Sequence, residues 1–247
     1  QLQRAVAARS HRDLSPVDVP DVPREVHPLV RAVNDLIARL DEVLGLTNRF
    51  VADAAHELRT PLTAMTAHVE LALREEDPQE MRRSLAHLYV GIDRMSHLVA
   101  QLLSLARNEP TAVKRLELAP VDLCKLAFDV TTEWVPQAYR RHIDLGFDGT
   151  REPVMVDGDA QRLAEHLNNL VDNAIRYSRD GGRVTVRVAA TPQPRVSVSD
   201  DGPTIPVPER ERVFERFHRL LGTRADGSGL GLAIVREIAT LHGASIV

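Results

Sequence analysis

Hydrophobic residues in the first part of the chain recur every three or four positions, which is the period of an amphipathic helix. The first such stripe begins near Arg24 and continues to Val51, with a change of phase between Leu40 and Leu44. A polar, proline-containing stretch that ends at Pro23 precedes it and is typical of a connector. The stripe predicts a coiled-coil seam, and the phase change is typical of a stutter.

Two further stripes predict a helical hairpin. One runs from Leu58 to Ala72 and is followed by charged residues and Pro78, and the other runs from Met81 to Ala106. Two amphipathic helices joined by a short polar loop favour antiparallel packing. Because one hairpin cannot bury both stripes, we expect a second copy to complete a four-helix bundle, which makes the protein a homodimer.

Helical and strand-like segments alternate after Pro110. The strands are recognised by their two-residue alternation and the helices by their longer period. Interleaved helices and strands predict an α/β layered domain. The predicted helices cover residues 121–138, 160–177 and 231–242, and the predicted strands cover 142–147, 154–156, 184–188 and 196–199, with a last strand from Ala244.

Composition narrows the functional classes. The net charge of −4 argues against a nucleic-acid-binding surface. The single cysteine, Cys124, cannot form an internal disulfide and favours a reducing compartment. No apolar run reaches the roughly 18–20 residues that a membrane helix needs. If the protein belongs to a membrane receptor, we therefore expect its anchor upstream of Gln1.

The segment around His56 carries the first candidate chemistry. His56 lies two positions before Leu58, which places its imidazole away from the apolar stripe. Glu57 can orient the ring and accept its proton, as a nucleophilic histidine requires. Pro61 leaves the carbonyl of Glu57 without a helical partner and weakens the helix locally. Thr60 stands where a zinc-binding His-Glu-x-x-His helix needs histidine. Taken alone, an exposed histidine is usually solvated surface.

Two segments of the α/β domain carry polar residues that suit a nucleotide. Asn169 and Asn173 are four positions apart and share a helical face, where amide oxygens can bind Mg²⁺. Arg176 can donate to phosphates. Asp200 ends a strand and can accept from an exocyclic amine, while Gly202 permits close approach of a flat base. In isolation, paired asparagines and an Asp-Asp-Gly-Pro turn are ordinary structural sequences.

A third segment is a glycine-rich loop from Asp226 to Gly231 that leads into a helix. Such loops direct backbone N–H groups at phosphate. The segment before the loop does not resemble a strand, which argues against a Rossmann turn. The Gly-Lys-Ser/Thr ending of a Walker A loop is also missing.

Together these segments resemble the bacterial sensor histidine kinases. The His56 segment resembles the H-box of the dimerisation domain. The other three, in this order, resemble the N, G1 and G2 boxes of the ATP-binding domain, which has the Bergerat-type fold shared with gyrase and Hsp90. The resemblance implies that His56 is phosphorylated, that Glu57 is the general base, and that Thr60 positions water to remove phosphate from a response regulator.

The resemblance also implies the nucleotide contacts. Asn173 would bind Mg²⁺ with help from Asn169, and Asp200 would recognise the adenine amino group. Residues 212–219 resemble the F-box of a mobile lid. The remaining residues expected at the nucleotide are Arg176, Tyr177, Gly202, Gly227, Gly229, Leu230 and Gly231.

The expected fold class is multi-domain α plus α/β. Residues 1–45 would be a partial HAMP signal-relay helix, 46–108 the dimerisation and phosphotransfer hairpin, and 109–247 the ATP-binding sandwich, with a hinge near 107–111. Two departures stand out. Thr204 replaces a usual glycine, which is expected to stiffen the backbone, and the chain ends at Val247, where we expect the last strand to be cut short.

The expected function is that of a sensor protein-histidine kinase that uses ATP and Mg²⁺, phosphorylates a response regulator and acts as its phosphatase. The chain would be the cytoplasmic portion of a bacterial inner-membrane protein. One alternative is a gyrase- or Hsp90-like clamp ATPase, against which the H-box argues. Another is a degenerate, non-enzymatic dimeric scaffold, against which Asn173, Asp200 and the glycine-rich loop argue.

Overall fold

The computed structural model describes residues 15–16, 26–108, 116–220 and 227–247. Apart from Ser15 and Pro16, the expected connector lies outside the described residues, as does the expected hinge beyond residue 108. The chain divides into two compact units, Gln1–Ala67 and His68–Val247. Its elements are α1 (His27–Arg74), α2 (Pro78–Asn108), β1 (Ala119–Asp122), α3 (Leu123–Arg140), β2 (Asp144–Asp148), β3 (Met155–Gly158), α4 (Ala160–Tyr177), β4 (Arg183–Ala189), β5 (Arg195–Asp200), 3₁₀ turns at Val207–Glu209 and Arg212–Phe214, and α5 (Gly231–Leu241).

The two long helices end and begin where the charged residues before Pro78 predicted a loop. The helix α1 ends at Arg74, and Pro78 is the first residue of α2, where its missing N–H is not needed. Asp77 Oδ1 accepts from the N–H of Gln79 at 2.8 Å and so satisfies a donor in the first turn of α2. Pro61 lies inside α1, which remains helical across it.

The end of α1 lies against the start of α2. The rings of His68 and His87 are stacked, with centroids 5.1 Å apart and planes inclined by 13°. A residue in the last part of α1 therefore contacts one in the first part of α2, as antiparallel helices require. This confirms the predicted helical hairpin.

A three-stranded sheet ordered β2–β4–β5 forms the base of the α/β domain. The strands β2 and β4 are parallel, with Leu145 opposite Val184, while β4 and β5 are antiparallel, with Val186 opposite Val198. The strands β1 and β3 form a separate antiparallel pair. Parallel and antiparallel pairs joined through helices confirm the predicted α/β architecture.

The helices α3 and α4 pack on this sheet and close its core. Asp159 begins α4 by accepting from two backbone N–H groups of the first turn. One face of α4 is apolar and buried because its aliphatic residues recur at helical spacing. The buried residues of that face are Leu167, Val171, Ala174 and Ile175.

Two sequence-based boundaries were wrong. A strand, β1, occupies residues where a helix was expected from Val121, because Asp122 starts the helix by accepting from the N–H of Cys124 at 3.0 Å. The strand expected from Ala244 does not form, since residues 244–247 have no ladder pairing and a strand exists only through a hydrogen-bonded neighbour. None of the helices in the described part of the chain is long and apolar enough to span a membrane.

Candidate functional site

His56 lies on α1 with its side chain exposed, as predicted. Thr60 is exposed one turn later and Glu57 is half-buried. Residues four apart share a helical face, so His56 and Thr60 face the same side. An exposed imidazole next to a carboxylate is accessible to an incoming phosphoryl group without unfolding of the helix.

The two predicted asparagines lie on the same side of α4 and are half-buried. Asn169 Nδ2 donates to the carbonyl of Glu165 at 2.9 Å, which fixes the orientation of its amide. Its Oδ1 accepts from Gln101 Nε2 of α2 at 3.4 Å. Asn173 follows one turn along the same helix.

The C-terminal turn of α4 carries the predicted arginine and tyrosine. Arg176 Nη2 donates to Asp172 Oδ2 at 2.7 Å across one helical turn. A Cβ placed on Gly227 would lie 3.4 Å from Arg176 Nη1 and 3.9 Å from Tyr177 Oη. The glycine-rich loop therefore approaches the end of α4, and the two predicted segments meet.

Asp200 ends β5, and its carboxylate is exposed. The N–H of Gly202 donates to Asp200 Oδ1 at 2.8 Å. A Cβ on Gly202 would lie 2.6 Å from that oxygen and 2.7 Å from the carbonyl oxygen of Tyr177. This close approach requires glycine, and it holds one carboxylate oxygen of Asp200 in place. Thr204, which departs from the family pattern, is exposed.

Gly229 adopts a φ of 69° in the glycine-rich loop, which disfavours any residue with a Cβ. Its carbonyl accepts from the N–H of Phe217 at 3.0 Å. A Cβ on Gly229 would lie 2.7 Å from the carbonyl carbon of Phe217. The loop is thus in direct backbone contact with the lid-like segment 212–219.

The rest of this loop leads into α5. The side chain of Leu230 is fully buried, so only its backbone faces the cluster, and its N–H donates to Ser228 Oγ at 3.2 Å. A Cβ on Gly231 would lie 3.3 Å from Asn169 Oδ1. Asp226, at the start of the motif, lies outside the described residues.

Ion pairs connect the lid-like segment and the residues before it to α5. Arg216 Nη2 is 2.6 Å from Glu237 Oε1, and Arg236 Nη2 is 2.9 Å from Glu211 Oε2. The Arg236 guanidinium also lies 4.6 Å from the centroid of the Phe214 ring. Phe214 therefore packs under a cation on α5.

Two histidines lie between α4 and α5. Burial lowers the pKa of His166; its contact with the Val235 carbonyl, at 3.1 Å, opposes this, and His242 adds to the lowering. His242 Nε2 accepts from the N–H of Asp159 at 3.1 Å, and its Nδ1 is 2.8 Å from the carbonyl oxygen of Ile238.

Some contacts of the cluster were missed by sequence reasoning. Gln101 and Ser228 were given no role, yet Ser228 Oγ donates to Gln101 Oε1 at 2.7 Å. The available signal was the amide of Gln101 between Leu98 and Leu102 on the apolar part of α2. Trp134 Nε1 donates to Asn168 Oδ1 at 2.7 Å, which gives the asparagine next to Asn169 a structural role.

Comparison with known proteins gives three family matches. Residues 1–42 match a PhoQ-like sensor protein HAMP domain, and residues 46–111 match the His Kinase A phospho-acceptor domain. Residues 158–247 match the histidine kinase-, DNA gyrase B- and HSP90-like ATPase. The sensor protein kinase PmrB of Pseudomonas aeruginosa is 40% identical over 100% of this chain, which covers 51% of PmrB.

The chain belongs to the sensor histidine kinases. It spans about half the length of the curated relatives it matches. The solved chain of the histidine kinase AdeS of Acinetobacter baumannii has a TM-score of 0.58 at 27% identity, over 75% of this chain and 86% of the solved chain. The solved chain of the histidine kinase ThkA, in complex with the response regulator TrrA, has a TM-score of 0.67 at 25% identity, over 83% of this chain and 57% of the solved chain.

The ATPase match covers the helices and the loop that bear the candidate nucleotide residues of this histidine kinase. The phospho-acceptor match covers His56. Of the contacts described above, those of Gln101 with Asn169 and Ser228 therefore join residues of these two matched regions.

Proposed function

We propose that this histidine kinase transfers the γ-phosphoryl group of ATP to His56 and then to an aspartate of a response regulator. The observation that carries the proposal is an exposed His56 beside a half-buried Glu57 on α1, in the same chain as the amide, glycine and carboxylate cluster around α4. In the first step a ring nitrogen of His56 attacks the γ-phosphorus, the bond to the β,γ-bridging oxygen breaks, ADP leaves, and Glu57 takes the ring proton.

The donor set around α4 suits ATP with Mg²⁺. Asn173 and Asn169 offer amide oxygens, which are ligands that Mg²⁺ accepts alongside phosphate oxygens. Asp200 has one carboxylate oxygen engaged by Gly202, and its other oxygen can accept from the adenine amino group. Arg176 can donate to phosphate. Bound Mg²⁺ would neutralise phosphate charge, on which phosphoryl transfer depends.

A homodimer is part of this proposal. Many large apolar residues of α1 and α2 stay exposed in the single chain, among them Leu62, Leu85 and Ile92. Contiguous exposed apolar surface on helices favours association, and a second hairpin offers a matching surface. Within the proposed domains, residues 1–45 would relay a signal, 46–108 would dimerise and carry His56, and 109–247 would bind ATP.

The same kinase is proposed to remove phosphate from its regulator. Thr60 is exposed on the side of α1 that carries His56, where its hydroxyl can orient a water. Thr60→Ala should slow dephosphorylation of the phosphorylated regulator and leave His56 labelling intact. Thr63→Ala is the matched control, because Thr63 is exposed on the same helix and donates to the carbonyl of Arg59. Equal phosphatase rates in both variants would remove Thr60 from this role.

A response regulator is the proposed acceptor, and the complex of the related ThkA with TrrA supports it. The HAMP match and the sensor relatives support placing this chain on the cytoplasmic side of a membrane-anchored protein.

The test of the kinase activity is incubation of the chain with γ-labelled ATP and Mg²⁺. We expect acid-labile, base-stable label on the protein and none on His56→Ala. His97→Ala is the control, because His97 is another exposed histidine on a long helix. Label that persists in His56→Ala would refute the assigned acceptor. Absence of label in the unmodified chain despite ATP binding would favour a clamp ATPase.

A further inference from the structure

Gln101 of α2 joins two segments of the proposed nucleotide site. Its Nε2 donates to Asn169 Oδ1 at 3.4 Å, and its Oε1 accepts from Ser228 Oγ at 2.7 Å. Asn169 belongs to α4 and Ser228 to the glycine-rich loop. One side chain from the phosphotransfer hairpin therefore contacts both sides of the cluster that is proposed to hold ATP.

The partners of Gln101 are held in place by further contacts. Ser228 Oγ also accepts from the N–H of Leu230 at 3.2 Å, so the hydroxyl is fixed between loop and helix. A Cβ on Gly231 would lie 3.3 Å from Asn169 Oδ1 and 3.9 Å from Gln101 Nε2. Gln101 thus meets its partners at the N-terminus of α5, where little space remains.

Apolar packing surrounds this polar contact. The helix α2 packs on α5, and Leu98 and Leu105, about one turn to either side of Gln101, are buried. Leu230, which leads into α5, is also fully buried. Hydrogen bonds in such partly dry surroundings are stronger than in water, and they fix the orientation of the groups that make them.

The contact with Gln101 engages two groups of the proposed ATP site, Asn169 and Ser228. Asn169 Oδ1, the atom that can bind Mg²⁺, is directed at Gln101, and its amide nitrogen is held by Glu165. Ser228 Oγ is directed at α2 and fixes the loop whose backbone would face phosphate. While this contact holds, Gln101 occupies one acceptor position of Asn169 Oδ1 and engages the hydroxyl of Ser228, so that position and that hydroxyl are not available to ATP with Mg²⁺.

We propose that Gln101 is a latch that closes the ATP-binding domain against α2 and competes with nucleotide for Asn169 and the glycine-rich loop. The proposal rests on the nucleotide-binding role of Asn169 given above. Binding of ATP then opens the latch and frees the domain from α2, and loss of the latch makes ATP bind more tightly.

The first experiment compares ATP affinity, in the presence of Mg²⁺, between the full chain and Gln101→Met by calorimetry. Methionine keeps the length and the apolar packing of the side chain and removes both hydrogen bonds. Because each of the two hydrogen bonds contributes about 1 kcal/mol net, we expect roughly 30-fold tighter binding. Gln79→Met, at an exposed position of the same helix, should bind as the unmodified chain does. Unchanged or weaker binding by Gln101→Met would overturn the latch.

A double-mutant cycle adds a readout of the contact itself. Ser228→Ala and Gln101→Met should not be additive in ATP affinity if the two side chains act through each other. Additive effects would overturn the latch.

A readout without ATP separates the two proposals. Hydrogen exchange at Leu230 and in the first turn of α5 should be faster in Gln101→Met than in the unmodified chain, and equal exchange would overturn the latch even if ATP binds. If the unmodified chain binds no ATP, the proposed kinase function fails, and the competition fails with it.

Discussion

The long helices and the α/β domain differ in how they bury apolar residues. Ile175 of α4 and Ile234 of α5 are 1% exposed or less, whereas Leu62 of α1 and Ile92 of α2 are each 57% exposed. The α/β domain therefore has a core of its own. The helices carry apolar surface that the described residues leave uncovered, which is why we propose association through the helices and nucleotide binding by the α/β domain.

The helix α2 has both buried and exposed apolar residues. Leu98 and Leu105 are buried, while Leu85, Ile92 and Val99 of the predicted seam are exposed. One face of α2 thus packs within the chain, at α5, and another is available to a second copy. We therefore expect substitutions on the exposed face of α2 to affect dimerisation. Substitutions on the buried face should affect the ATP-binding domain.

The largest expected effect is loss of activity without loss of the dimer. Asn173→Asp places a carboxylate where an amide oxygen would meet Mg²⁺ and phosphate, and we expect His56 labelling to fall by roughly a thousandfold. Light scattering should show an unchanged mass. Asn168→Asp is the matched control, because its carboxylate can still accept from Trp134. Normal labelling of Asn173→Asp would refute the proposed role of Asn173 as a ligand of Mg²⁺.

The next largest expected effect is a loss of stability caused by a core substitution in the α/β domain. Ile175→Ala removes fully buried apolar volume and should lower the free energy of unfolding by about 2–5 kcal/mol. Urea unfolding followed by the fluorescence of Trp134, the single tryptophan, measures it. Leu62→Ala, at an exposed position, should leave this transition almost unchanged. An equal loss in both variants would contradict the separation of the two regions.

A charge on the exposed seam should weaken the dimer. Ile92→Glu replaces apolar surface by a carboxylate, and we expect the dimer dissociation constant to rise by roughly 30-fold. Analytical ultracentrifugation measures this constant, and ATP affinity should not change. His97→Glu, at an exposed polar position of the same helix, is the control. If Ile92→Glu remains as dimeric as the control, the seam is not the interface.

The smallest expected effect is a dependence of stability on pH. Because burial lowers the pKa of folded His166 below 6.5, the unfolded chain binds more protons between the two pKa values. Stability of the α/β domain should therefore decrease as the pH falls through 6.5. His166→Gln should reduce this slope in urea unfolding, whereas His97→Gln should not. An unaltered slope in His166→Gln would exclude His166 as the cause.

Elements with strong local signals were predicted closely. The bounds of α4, Ala160–Tyr177, agree with those expected, because its apolar period and its capping Asp159 are local features. The exposure of His56 followed from its position relative to Leu58. The start of α3 was misplaced, because residues up to Asp122 pair with the distant strand β3, and the Asp122 carboxylate accepts from the N–H of Val154 at 3.2 Å as well as from that of Cys124.

The sequence by itself determined the helical hairpin, the α/β domain and the residue types suited to nucleotide chemistry, since periodicity and motif spacing are properties of neighbouring residues. Only the tertiary structure decided that Gln101 contacts Asn169 and Ser228, which lie 68 and 127 positions away. It also decided that Arg216 and Arg236 fasten the lid-like segment and the residues before it to α5. An amphipathic stripe specifies that a face is buried, but the partner depends on packing between elements that are distant in the chain.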